Sequence, residues 1–199
     1  MPMLKTIAGH TSARGIRRYL TKKNRALAED LINIDAPEGA DAFDWAAVMD
    51  ETRRAFGNDL PWRGRRVRTY KHYVVSPDPK DGISLESLRD LASSWAEEHF
   101  PQTTEVAIVY HDDNEGGIPH AHVVVNNTNI ETGRRLQDPD PKALAESLQA
   151  VAEGQGPHRL APSLSEGGGR PRREAQLQEA PETHRSEYVR RCREGAARS

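Results

Sequence analysis

The sequence predicts an α+β fold: an antiparallel β-sheet with helices packed on one face, followed by a flexible C-terminal tail. Three observations carry this. Three segments with helix-spaced apolar residues lie between segments of β composition. Two β-rich runs, 105–111 and 120–128, flank a loop rich in turn formers and so form a hairpin. From Gly154 to Arg173 the chain is rich in Gly, Pro and Ser, and residues 174–199 are charged and largely without apolar periodicity.

Taken in order, residues 4–8 are short and apolar and lead into Gly9-His-Thr-Ser12. From Arg14 to Ile34 the residues Ile16, Leu20, Leu27, Leu31 and Ile32 recur at helical spacing, which predicts one helix capped by Ser12. The chain turns at Pro37 to Gly39, and Asp44 to Phe56 reads as an amphipathic helix ending near Gly57. A basic loop follows. Val67 to Ser76 has β composition and stops at Pro77-Asp-Pro. Ser84 opens a helix that runs to about His99, with Glu86 in its first turn where a negative charge is favoured. After the hairpin, Pro141 to Glu153 is a helix. A domain over 1–155 and a charged tail over 156–199, partly helical at most, are expected. No repeat of fixed period is present.

Hydrophobic residues make up 36% of 199 residues, enough for one modest core. No apolar run is long enough to span a membrane and the start lacks a secretion pattern, so a cytoplasmic protein without membrane insertion is expected. The single cysteine, Cys192, excludes an internal disulfide and a cysteine-based metal site. A net charge of −2 argues against a protein that coats nucleic acid nonspecifically. The charge is segregated, however. Arg14, Arg17, Arg18, Lys22, Lys23 and Arg25 crowd one segment, Arg63, Arg65, Arg66, Arg68 and Lys71 another, and acids collect in 29–51 and 81–115.

Side chains alternate across a strand, so His120 and His122 share one face while Ala121, Val123 and Val125 share the other. If the hairpin closes symmetrically about 112–119, His111 lies opposite His120 and three imidazoles converge. Val106, Ile108 and Tyr110 then join the apolar set on the far face for helices to cover. Three neutral imidazoles suit a divalent metal ion and leave coordination positions open to substrate oxygens; a closed structural zinc site more often recruits cysteine.

The stretch His111-Asp-Asp-Asn-Glu-Gly-Gly-Ile-Pro-His-Ala-His-Val-Val-Val-Asn126 resembles the metal-binding motif of plasmid mobilisation relaxases of the HUH endonuclease superfamily. The strand ending His72-Tyr-Val-Val-Ser76, the helix after it, and Thr132-Gly-Arg-Arg-Leu136 match that family in order and spacing, and the resemblance spans roughly 4–150. It implies His111, His120 and His122 as metal ligands, with magnesium or manganese expected and zinc also compatible with imidazole. Ala121 is smaller than the residue usual between the paired histidines. Asp113 occupies a position that often carries an acid, to orient a ligand histidine or accept a proton; Glu115 competes for that role.

A strand-transferring nuclease needs an oxygen nucleophile whose product conserves the phosphodiester energy, which suits tyrosine. Tyr110 falls in the apolar set and Tyr188 in the tail, leaving Tyr19, Tyr70 and Tyr73. Tyr19 lies among Arg17, Arg18, Lys22 and Lys23, cations that suit a scissile phosphate. His10-Thr-Ser-Ala-Arg-Gly-Ile-Arg-Arg-Tyr-Leu20 resembles the relaxase segment supplying the catalytic tyrosine, which implies Tyr19. The implied activity is metal-assisted nicking of one strand at a transfer origin through a 5′-phosphotyrosine intermediate, followed by rejoining or transfer. Its partner is single-stranded or melted origin DNA, held by Arg14, Arg17, Arg18, Lys22, Lys23, Arg65, Arg66 and Arg68, with a base stacked on Trp62 or Tyr70. An accessory origin-binding protein and a coupling protein are further expected partners. Three alternatives remain: a replication initiator or transposase with the same motif, a noncatalytic metal-containing DNA-binding module, and a small-molecule metallohydrolase, which would leave the basic segments without a use.

Overall fold

The computed structural model describes residues 2–36, 43–61, 64, 67–137 and 140–154. Its strands are β1 (Met3–Gly9), β2 (Ala28–Ile32), β3 (Tyr70–Ser76), β4 (Thr104–His111) and β5 (His120–Asn129), and its helices α1 (Ala13–Leu20), α2 (Trp45–Ala55), α3 (Leu85–His99) and α4 (Pro141–Ala152). The strands form one antiparallel sheet in the order β1-β3-β5-β4-β2. The expected tail over 156–199, Trp62, Arg63, Arg65, Arg66, Tyr188, Cys192 and the turn at Pro37 to Gly39 fall outside the described residues.

The α+β expectation holds, and alternation along the strands explains the core. Tyr73, Val75, Val106, Ile108, Tyr110, Ala121, Val123 and Val125 point to one face. There they meet Leu88, Ala92, Trp95 and Ala96 of α3 and Leu144 and Leu148 of α4. The indole of the fully buried Trp95 donates to the Ser147 hydroxyl at 3.2 Å, so the one polar edge of a large apolar group is satisfied. One-sided helix cover describes α3 and α4 alone. On the opposite face Tyr70, Ala107, Val109 and Val124 form an apolar end that α1 and α2 cover with Ala13, Ile16, Leu20, Trp45, Ala46 and Met49. The histidines lie on this second face.

The predicted helix over 14–34 is divided. Thr21 ends α1, and Lys23 and Asn24 adopt left-handed backbone angles of 60° and 54° that a continuing helix excludes. The chain then pairs with β4 in the register Ala28↔Tyr110 to Ile32↔Val106. Ala28 and Ile32 reach the first core and Leu31 the second, a period of two that the helical spacing of Leu20, Leu27 and Leu31 concealed. The open edge of β4 decided the matter, because its backbone groups need partners that a helix here would not supply.

α1 is short and its start is doubly capped. Gly15 N–H donates to Ser12 Oγ at 3.1 Å, as expected for that serine. In addition the buried Asp50 carboxylate of α2 accepts from Ala13 N–H at 2.9 Å and Arg14 N–H at 3.4 Å, placing a negative charge at the positive end of the helix dipole.

Candidate functional site

The β4–β5 hairpin brings the three predicted ligands together. His111 pairs with His120 directly, and His122 lies opposite Val109 on the same face. The ring centroids are 4.8 Å (His111–His122), 5.1 Å (His120–His122) and 5.7 Å (His111–His120) apart. One nitrogen from each ring falls within 4.8 Å of the others, a spacing able to hold a metal ion.

The other ring nitrogens are held, and for His111 the partner sets the tautomer. His111 Nε2 is 2.8 Å from the Leu20 carbonyl, which can only accept, so the proton is on Nε2 and the lone pair on Nδ1. His120 Nδ1 lies 3.2 Å from the Ile118 carbonyl, which leaves Nε2 toward the cluster. His122 Nδ1 is bonded to His72 Nε2 at 2.9 Å. Burial pushes His122 down to about 3, helped by the neighbouring imidazoles, and His72 down to about 4. Burial also lowers His111, against the pull of the Leu20 carbonyl. His111 and His122 are therefore neutral at neutral pH and able to offer a lone pair, and the donor set fits a divalent ion.

Tyr19 lies one residue before that Leu20 carbonyl, at the C-terminal end of α1, and is 58% exposed. The other described tyrosines are buried. Tyr73 and Tyr110 sit in the core on the far face, where burial raises the Tyr110 hydroxyl, and Tyr70 bonds Thr11 Oγ1 at 3.0 Å beneath α1. Arg25 ties Tyr19 to the loop of the hairpin. Its guanidinium carbon lies 4.5 Å from the centre of the Tyr19 ring, and Nη1 pairs with Asp113 Oδ2 at 3.0 Å. The other Asp113 oxygen is 3.7 Å from His120 Nε2. Glu115 is exposed on the same loop.

The basic residues separate into two groups. Arg14 and Arg17 lie 3.6 and 3.8 Å from Asp44, and Arg17 also donates to the Phe43 carbonyl at 3.1 Å. Arg18, Lys22, Lys23 and Arg68 are exposed. Two residues of the site were not singled out from sequence. His72 required the β3–β5 register to be seen beside His122, and Arg25 was assigned to a continuous helix that would have pointed it elsewhere.

A sequence-family description, "Relaxase: MobA/VirD2-like, nuclease domain", matches residues 19–156. The chain belongs to this relaxase family. No curated protein matches the relaxase sequence. Among solved structures, the relaxase resembles the MobM relaxase domain (MOBV; Mob_Pre) bound to plasmid pMV158 oriT DNA of 22 nucleotides with manganese. Identity there is 13%, with 85% of this chain and 95% of that chain covered, at a TM-score of 0.47. The same domain on a 23-nucleotide oriT DNA gives 15% identity, 96% and 97% coverage and a TM-score of 0.42. With 26-nucleotide DNA the values are 15%, 85% and 96%, and 0.46. No helix among the described residues is long and apolar enough to cross a membrane.

Proposed function

We propose that this relaxase domain nicks one strand of origin DNA with Tyr19 as nucleophile. The observation that carries the reading is the hydrogen bond from His111 to the Leu20 carbonyl, which fixes the end of α1, and so the one exposed tyrosine among the described residues, beside the histidine cluster. In this reading the Tyr19 phenol loses its proton to Asp113 and its oxygen attacks the scissile phosphorus. The P–O3′ bond breaks, the 3′-oxygen leaves and takes up a proton, and the 5′-phosphate remains on Tyr19. Attack by a returning 3′-hydroxyl reverses the step. His111, His120 and His122 would hold a divalent ion, which when bound supplies positive charge that orients and polarises the phosphate oxygens. Magnesium or manganese is the expected ion. Arg18, Lys22, Lys23 and Arg68, exposed near the ends of α1 and β3, would bind phosphates of single-stranded DNA.

The test is incubation of the full chain with single-stranded origin-derived oligonucleotides and manganese, read by denaturing gel and peptide mass spectrometry. A covalent adduct on Tyr19, absent with chelator and in Tyr19→Phe and His122→Ala, is expected. Tight oligonucleotide binding with no adduct on any tyrosine would replace the reading with a noncatalytic DNA-binding module.

A further inference from the structure

Arg25 makes more of the site's connections than any residue except the histidines, and the ligand set does not account for them. After α1, the left-handed pair Lys23 and Asn24 folds the chain back so that Arg25 lies over the end of the helix it follows. Arg25 Nε donates to the Leu20 carbonyl at 3.2 Å, sharing that acceptor with His111 Nε2, and Nη2 donates to the Tyr19 carbonyl. The guanidinium carbon sits over the Tyr19 ring and Nη1 pairs with Asp113. One planar cation therefore touches the candidate nucleophile, the candidate acid and the carbonyl that fixes a metal-ligating histidine.

We propose that Arg25 is a positioning residue for strand transfer, holding the Tyr19 ring on its face and the Asp113 carboxylate on its edge. The inference rests on the assignment of Tyr19 as nucleophile and deepens it. An exposed tyrosine at a helix end has several rotamers open to it, and only one places its oxygen in line with a phosphorus. Stacking under a guanidinium selects one ring orientation without burying the hydroxyl. The ion pair engages Asp113 Oδ2 and leaves Oδ1 toward His120, so the same group orients the carboxylate. Lysine cannot replace arginine here, because a point charge lacks the fork that reaches a ring, two carbonyls and a carboxylate at once.

The experiment compares the full chain with Arg25→Gln, Arg25→Lys and Tyr19→Leu. NMR of the Arg25 side-chain methylenes should show an upfield ring-current shift that disappears in Tyr19→Leu; no such shift in the wild type overturns the proposed geometry whatever the activity. At saturating origin oligonucleotide and manganese, Arg25→Gln should slow formation of the Tyr19 adduct by about 30-fold, the size of effect expected from lost alignment. Manganese affinity, by calorimetry, and oligonucleotide Kd should each change less than about 3-fold, and Arg25→Lys should recover only a small part of the rate. An unchanged rate, full rescue by lysine, or a loss that appears wholly as weaker oligonucleotide or manganese binding overturns the proposal while leaving the nucleophile assignment standing. A wild-type chain that forms its adduct on another tyrosine, or on none, overturns both.

Discussion

His72 and His122 are joined ring to ring, Nε2 to Nδ1 at 2.9 Å, across neighbouring strands β3 and β5. The bond occupies Nδ1 of His122, so His72 restrains the rotation of a ring in the candidate metal cluster. Such supporting partners commonly matter by about 10- to 100-fold in metal affinity. His72→Phe, which keeps an aromatic ring in a buried position but cannot bond, should weaken manganese binding by about 10-fold or more, read by calorimetry on the metal-free chain. Affinity equal to wild type would mean that packing alone orients His122.

Asp50 and Arg53 form a second buried pair at 2.8 Å, with both side chains under a tenth exposed. Asp50 also caps α1 through Ala13 and Arg14, so it connects α2 to the helix that carries Tyr19. Removing one partner of a buried ion pair typically costs about 3–5 kcal/mol, because the other charge is stranded. Asp50→Ala should therefore destabilise the fold more than the double variant Asp50→Ala/Arg53→Leu, as measured by urea unfolding. A double variant less stable than the single one would show that Arg53 has other partners that matter more.

The histidine site was legible in the sequence because it depends on one local relation. A loop from 112 to 119 between two β-rich runs sets the register, and alternation then places His120 and His122 on one face. The elements with strong caps and uninterrupted patterns were legible for the same reason: Asp44 and Ser84 accept from the expected first-turn N–H groups of α2 and α3. What depended on distant pairing was not legible. The segment Ala28–Ile32 is a strand only because β4 stands beside it; its Leu31, spaced with Leu20 and Leu27, fits a helix equally well. His72 and Arg25 owe their places to the β3–β5 register and to a left-handed turn at two non-glycine residues, neither of which leaves a local mark.

Glu105 supplies a pH dependence of known sign. Its carboxylate is buried beneath α2, accepting from Asn126 Nδ2 at 2.6 Å and Thr52 Oγ1 at 2.8 Å, and burial raises it above its ordinary value of 4.5 despite both bonds. The folded state therefore holds this proton more tightly than the unfolded chain. The stabilisation is complete below pH 4.5 and is lost as pH rises through the raised folded value. His72, His111 and His122 act in the other direction, since their lowered folded values favour the native state above 6.5 and penalise it as pH falls. The comparison that isolates Glu105 is wild type against Glu105→Gln in chemical denaturation from pH 4.5 upward. The stability of wild type relative to the variant should fall with rising pH. A constant difference would show that the three-residue hydrogen-bond network compensates the buried charge in full.

The two groups of basic residues near α1 should separate in a salt titration. Each phosphate neutralised on single-stranded DNA adds about 0.7 to the slope of log affinity against log salt. Arg18, Lys22 and Lys23 are exposed, so replacing all three with Ala should reduce the slope by about 2 if each meets a phosphate, with little change in stability. Arg17 is half-buried against Asp44 and the Phe43 carbonyl, and its charge already has partners within the protein. Arg17→Ala should lower the melting temperature and leave the slope nearly unchanged. Fluorescence anisotropy with a labelled single-stranded oligonucleotide at several salt concentrations measures the slopes, and thermal unfolding measures the stability. If Arg17→Ala changes the slope as the triple variant does, the Asp44 contacts give way when DNA arrives, and the DNA path runs along the full length of α1.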